Sequence, residues 1–281
     1  MYARPKRLII TQYEAPAHIS LLAAAELLGD GKRAIAAQIV DLAVRKVVTI
    51  GRPTGKGKRS GFTITLAGDP AAEGPDEEAV LIELFDGRPY VGATRTVAPG
   101  RNRELGQQMQ GPHRFATARL VTAGLARERG SFASLLAPSR DRTVVPTERA
   151  YPIVDHLWGV RDYIAWAEKD RLAFHQAPDT AERRELGELE ILRLHERLLP
   201  YAVLFGLEKD WMRELDVRVR SLPPELVGDL GLVIDAVHVG VIAVDLIVDV
   251  ADLADILSAS DALEGVGSFF GGVAEFLGDL G

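Results

Sequence analysis

The sequence has no cysteine in 281 residues. That absence excludes disulfide bridges, thiolate zinc sites, iron–sulfur clusters and cysteine nucleophiles. It also lacks any uncharged apolar run of the roughly 18 residues that a transmembrane helix needs, so none is expected. The first residues, MYARPKRLIITQYEAPAH, lack the apolar core of a secretion signal. Sequence motifs of catalysis are scarce too. The glycine-rich stretch 51–61 has Lys56 where a phosphate-binding GxxxxGK[ST] loop needs glycine. His195-Glu196 begins like HExxH but has no second histidine, GxSxG does not occur, and GVGSFFGG is not GxGxxG. One end of the chain lacks positive charge altogether: residues 221–281 contain 11 Asp and Glu and no Lys or Arg.

What remains is an ordinary globular composition, 47% hydrophobic and 26% charged, with a net charge of −7. The length suggests two or three small domains. Charge is uneven along the chain: residues 1–75 hold 11 Lys and Arg against 6 Asp and Glu, opposite in sign to the tail. A basic front and an acidic end suggest different partners for the two ends, or each other.

The N-terminal segment reads as a winged helix. After an extended RLIITQYEAPAH, Ser20 is placed to cap a helix over Leu21 to Leu28. Gly29-Asp30-Gly31 is a turn, and a second helix over 32–46 carries Ile35, Ile39, Leu42 and Ala43 at helical spacing. The period then changes to β-branched Val47–Ile50, a basic glycine-rich loop, and a return strand over 62–66. Residues 68–78 are a linker by composition. Helices are expected over 76–85, 101–110 and 112–128, a second unit like a degenerate winged helix, and 130–150 read as a polar connector. From Tyr151 the chain reads as helical: one helix from Tyr151, a second at ELEILRLHERLL, and a third begun by Pro200, with Gly206 as a breaker. The domains expected are thus 1–70 winged-helix-like, 71–130 helical, 131–150 connector, 151–220 helical, and 221–281 an acidic amphipathic helix with a tail. The fold class is α+β, mostly α.

Two central segments, GVRDYIAWAEKDRL and ERLLPYAVLFGLEKDW, carry a resemblance. Through Gly159, Arg161, Tyr163, Ala167, Glu168, Lys169, Asp170 and Arg171, then Leu199, Pro200, Tyr201, Ala202, Gly206, Leu207 and Trp211, the chain resembles the cytosolic C-terminal region of the YciQ-like predicted membrane proteins, a bacterial family of unknown function. QYEAPAHISLLAAAELL and IVDLAVRKVVTI are similar to that family's extended start and its helix-into-strand, so the resemblance spans about residues 8–215. The family's extracytoplasmic β-domain and membrane segments have no counterpart here. The resemblance therefore implies a soluble form of the cytosolic part, with Glu168, Lys169, Asp170, Arg171, Pro200, Tyr201 and Trp211 as structural motif residues. It implies a cytoplasmic location peripheral to the inner face of the plasma membrane and a membrane complex as partner. It offers no catalytic residues.

The chemistry-bearing residues point the same way. Six histidines, His18, His113, His156, His175, His195 and His238, are scattered, and Glu168-Lys169-Asp170-Arg171 and Glu208-Lys209-Asp210 place cations beside their carboxylates, which favours ion pairs over acid/base catalysis. No catalytic residue, metal, cofactor or small-molecule substrate is expected. Residues 232–258 read LVIDAVHVGVIAVDLIVDVADLADILS, with Asp235, His238, Asp245, Asp249 and Asp252 on one narrow helical stripe and apolar residues elsewhere. Such a helix requires an apolar partner, which the acidic stripe makes unlike an anionic membrane. The leading expectation is a non-catalytic interaction or scaffold module that binds a protein partner or self-associates through 232–258. The alternative is a winged-helix DNA-binding regulator using Arg45, Lys46, Arg52, Lys56, Lys58 and Arg59, with the acidic tail docking on the wing.

Overall fold

The computed structural model describes residues 5–16, 18–54, 61–87, 89–97, 108–128, 144–166 and 188–211. Its first helix, α1 (Leu21–Leu28), has the bounds expected from sequence. Ser20 Oγ accepts the Ala23 N–H at 3.1 Å, satisfying one of the orphan donors of the first turn. Gly29, at φ 66°, turns the chain out, and the Asp30 N–H returns to the Ala25 carbonyl at 3.0 Å. Every residue of α1 except Glu26 is buried.

A 3-10 turn at Gly31–Arg33 leads into α2 (Ala34–Val44), so the helix expected over 32–46 is shorter at both ends. Its C-terminal limit is set by Lys46, which takes the left-handed conformation at φ 63° while the Val47 N–H bonds to the Leu42 carbonyl. β1 (Val48–Thr54) and β2 (Gly61–Leu66) form the expected antiparallel hairpin, in one register from Val48↔Leu66 to Gly51↔Thr63 and shifted by an irregularity before Thr54↔Gly61. Val48, Ile50, Ile64 and Leu66 face the core. A third strand, β3 (Thr94–Val97), which sequence reading missed, adds to β2. Between them lies α3 (Pro75–Leu84), with Pro75 in its first turn and Asp76, Glu77 and Glu78 at its positive end.

The middle differs from expectation. Of the helix expected over 101–110, residues 101–107 lie outside the described residues. The helix expected over 112–128 is α4 (Gln110–Thr122), followed by a turn and strand β4 (Ala126–Glu128). Gly124 at φ 69° ends the helix, because the left-handed turn there lets the Leu125 N–H reach back to the Leu120 carbonyl. The polar connector ends in β5 (Val144–Pro146), which pairs antiparallel with β4, and a 3-10 turn at Glu148–Ala150.

Two long helices follow, α5 (Tyr151–Ala165) and α6 (Glu188–Phe205). Pro200 does not begin a new helix but sits inside α6. It has no N–H to give the helical ladder. In the turn before it, the His195 carbonyl accepts the Trp211 indole N–H at 2.9 Å, which ties that part of α6 to the chain beyond its end. Gly206, at φ 70°, ends α6 as expected. The chain is thus α+β and mostly helical, with a three-stranded and a two-stranded sheet. Among the described residues no helix is long and apolar enough to cross a membrane.

Buried side chains from Leu21 to Trp211 form a single cluster. α1 lies at its centre and touches α2, α4, α5, α6 and β5. α2 is covered by α6. The extended N-terminal segment runs along α5: Arg7 Nε donates to Asp155 Oδ2 at 2.5 Å, and His156 Nε2 lies 2.8 Å from the Glu14 carbonyl. The closest approach is at Gly159, where an added Cβ would run into the Ile10 carbonyl and the Gln12 backbone. Gly159→Ala is therefore expected to lift residues 8–12 off α5 while α5 and α6 stay folded. Hydrogen exchange would show faster exchange in 8–12 with little change in 198–205.

Candidate functional site

A cleft of about 680 Å³ lies between the N-termini of α1 and α3 and the flank of α4. Its polar lining is His18, Ser20, Asp76, Glu77, Arg119 and Thr122. Each side chain is delivered by local structure. Ser20 is there because it caps α1. Asp76 and Glu77 are there because acids stabilise the first turn of α3. Arg119 reaches in from α4.

These groups engage one another. The Ser20 hydroxyl, already accepting from the Ala23 N–H, donates to Asp76 Oδ2 at 2.5 Å. Arg119 Nη1 stands 2.8 Å from Asp76 Oδ1. Asp76 is 3% exposed, and its charge is offset by a guanidinium whose side chain is 47% exposed. Gly74 leaves room for the Glu77 carboxylate to fold back over the start of α3, in the space a Cβ would fill. Burial pushes the Glu77 carboxyl above the ordinary range, with Arg45 opposing. His18, at the rim, is a non-glycine residue at φ 69°. Chemically the arrangement is a clamp: one carboxylate joins the starts of two helices to a third helix.

A second polar knot lies where α2 ends. Gln38 Nε2 donates to Asp41 Oδ2 at 3.2 Å, and Arg45 pairs with Asp41 at 2.7 Å and with Glu73. Burial raises the Asp41 carboxyl against the pull of Arg45. A third tie joins Arg33 to Glu208 at 3.1 Å, where Glu208 is buried beside the end of α6.

The residues singled out from sequence are distributed as follows. Arg45 is exposed but held by Asp41 and Glu73, and Lys46 is exposed at the end of α2. The rest of α2, from Ala34 to Val40 and at Leu42 and Ala43, is buried. The side chain of Arg52, with Lys56, Lys58 and Arg59, lies outside the described residues, as do Glu168, Lys169, Asp170 and Arg171 and the whole of 232–258. Pro200, Tyr201 and Trp211 are buried together on α6 and just beyond it. Trp211 lies tilted against His195 with centroids 4.7 Å apart and meets Tyr163 edge-on at 6.2 Å, while burial pushes the Tyr201 phenol upward. His113 Nδ1 lies 3.0 Å from Glu26, joining α4 to α1.

Sequence reading found Ser20 as a cap but missed the Ser20–Asp76–Arg119 clamp, whose members lie 56 and 43 positions apart and share no period. It also missed a surface feature. In the extended segment on α5, Ile9 packs against the core while Leu8 is 90% exposed and Ile10 is 70% exposed. With Ile9 turned to the core, Leu8 and Ile10 are left facing solvent.

Two outcomes test this description. Asp76→Ala removes the acceptor for Ser20 and the partner of Arg119, and should lower stability by about 2 kcal/mol in urea unfolding. Glu77 gives a pH dependence. In the unfolded chain its carboxyl titrates near pH 4.3, whereas the folded protein holds the proton to higher pH. The folded state therefore binds more protons in that window, and this group's contribution to stability falls as pH rises through it. Glu77→Gln should flatten the decline of the urea midpoint between pH 4 and pH 7.

Comparison of the chain with protein-family models, with curated proteins and with solved structures found no match.

Proposed function

We propose that the chain is a non-catalytic interaction module, built on a winged-helix-like N-terminal unit and a helical C-terminal unit, that works by docking another polypeptide segment. The observation that carries this reading is the exposed Leu8 and Ile10 pair on a backbone that lies directly against α5 at Gly159. Large aliphatic side chains at such exposure are tolerated singly on any surface. Two so close together on a segment packed along α5 make a strip that a complementary apolar surface would cover. The resemblance to the cytosolic region of the YciQ-like proteins supports the same class of function, a cytoplasmic location beside the membrane, and a membrane complex as the outside partner. The order of helix, helix and hairpin over 21–66 supports the winged-helix description.

DNA binding through α2 is the weaker reading, because the helix that would enter a groove is packed beneath α6 and Arg45 is committed to two carboxylates. Fluorescence anisotropy with random duplex DNA at two salt concentrations separates the readings. An interaction module of this kind gives no binding at micromolar protein. Micromolar binding that weakens steeply with salt, by counterion release, and that is lost in Lys56→Glu/Lys58→Glu/Arg59→Glu, would replace it with the regulator.

A further inference from the structure

We infer that the cleft between the starts of α1 and α3 and the flank of α4 is a binding site for a protonated amine on an apolar stem, with Glu77 as its counter-ion. The site is separate from the Leu8–Ile10 strip and does not rest on the interaction reading.

The cleft has the size and the mixed lining of a small-ligand site. It encloses about 680 Å³, and Ile19, Pro75, Leu120 and Leu125 are among its apolar residues. Its ionic residues are Asp76, Glu77 and Arg119. Asp76 and Arg119 stand 2.8 Å apart and offset one another, and Asp76 also accepts the Ser20 hydroxyl. The charge left over is the Glu77 carboxylate.

Glu77 is treated differently from the other carboxylates the fold draws in. Asp76 has Arg119, Glu208 has Arg33, Glu26 has His113, and Asp41 and Glu73 share Arg45. Glu77 has no such side-chain partner among the described residues. Its carboxylate takes the N–H of its own residue and lies over Gly74. Arg45 attracts it without pairing with it, being bonded to Asp41 and Glu73. A half-buried carboxylate without a paired cation is costly. A cation in the cleft would supply the missing charge.

The rest of the lining selects the form of that cation. An ammonium head on an aliphatic stem divides as the cleft does, with the head at Glu77 and the stem along Leu120 and Leu125. An anion fits poorly, because it would lie beside Asp76 and Glu77 and face a guanidinium already engaged. The same chemistry is offered by a free alkylamine and by a lysine side chain.

Three probes share one stem and differ in the head: hexylammonium, hexanol and hexanoate. Each is titrated into the full-length chain and followed by the amide resonances of Gly74, Glu77 and Thr122. Hexylammonium should shift these amides saturably, with hexanol roughly tenfold weaker and hexanoate weaker still, since a hydrogen bond to a charged group contributes about 1.5–3 kcal/mol. Glu77→Gln should reduce hexylammonium to the affinity of hexanol and leave hexanol unchanged. In the unaltered protein the side-chain carboxyl carbon of Glu77 should titrate at lower pH with hexylammonium bound, because a nearby cation favours the carboxylate. That measurement decides the matter should the variant fail to fold.

Equal binding of hexylammonium and hexanol, or hexylammonium binding that survives Glu77→Gln, would overturn the inference and leave an apolar hollow. Preference for hexanoate that is lost in Arg119→Gln would overturn it in favour of an anion site. Amides that move with none of the probes would overturn it as well. Where hexylammonium binds as expected, Nα-acetyl-lysine methylamide identifies the source: comparable affinity assigns the cleft to a lysine of a polypeptide, and no binding assigns it to a free amine. The DNA titration tests the interaction reading independently of all these outcomes.

Discussion

An eight-residue helix with no polar face governs the rest of the structure. α1, LLAAAELL, is buried at every position but Glu26. Isolated helices of that length are unstable in water, because a costly nucleus is followed by too few propagating bonds. α1 therefore exists only as other elements surround it: α2 and α6 on one side, α4, α5 and β5 on the others. Its three consecutive alanines suit a helix with neighbours on every side, since small side chains let flanking helices approach. Its four leucines each contribute about 1.5–3 kcal/mol on full burial.

The polar groups serve this arrangement. Ser20 and Asp76 fix where α1 and α3 begin, Arg119 fixes α4 against both, and Glu26 receives His113 from α4. Arg33 and Glu208 hold the start of α2 to the end of α6. Each tie links segments distant in sequence and lies at the end of a helix, where backbone groups need partners in any case. The same economy extends to the N-terminal segment, which is positioned by Arg7 on Asp155, His156 on the Glu14 carbonyl, and the missing Cβ of Gly159.

How much of this could be read in the sequence depended on distance along the chain. The bounds of α1 were legible because Ser20 and Gly29 are local signals that act within one turn. So were the hairpin, from the change of period after Lys46, and the end of α6 at Gly206. β3 was not, since TRTV is short and takes its place only by pairing with β2. β4 and β5 are three residues each and define one another across residues 129–143. Pro200 was read as a boundary because proline usually is one, yet α6 runs through it, anchored on both sides by buried Leu198, Leu199, Ala202 and Val203. Of the candidate site, the cap was legible and the clamp was not. The exposure of Leu8 and Ile10 was hidden because RLII reads as an ordinary strand until its neighbour is known.

The position of α1 has a consequence for the chain during synthesis. Its packing partners extend to Phe205, 177 residues downstream of Leu28. At about 5–20 residues per second a ribosome needs roughly 10–35 s to make that stretch. Over an interval of that length α1, the most apolar of the described helices, waits for its cover. The nascent chain thus carries an uncovered apolar helix through most of its synthesis, and the last of the described helices to emerge, not the first, decides when α1 is buried.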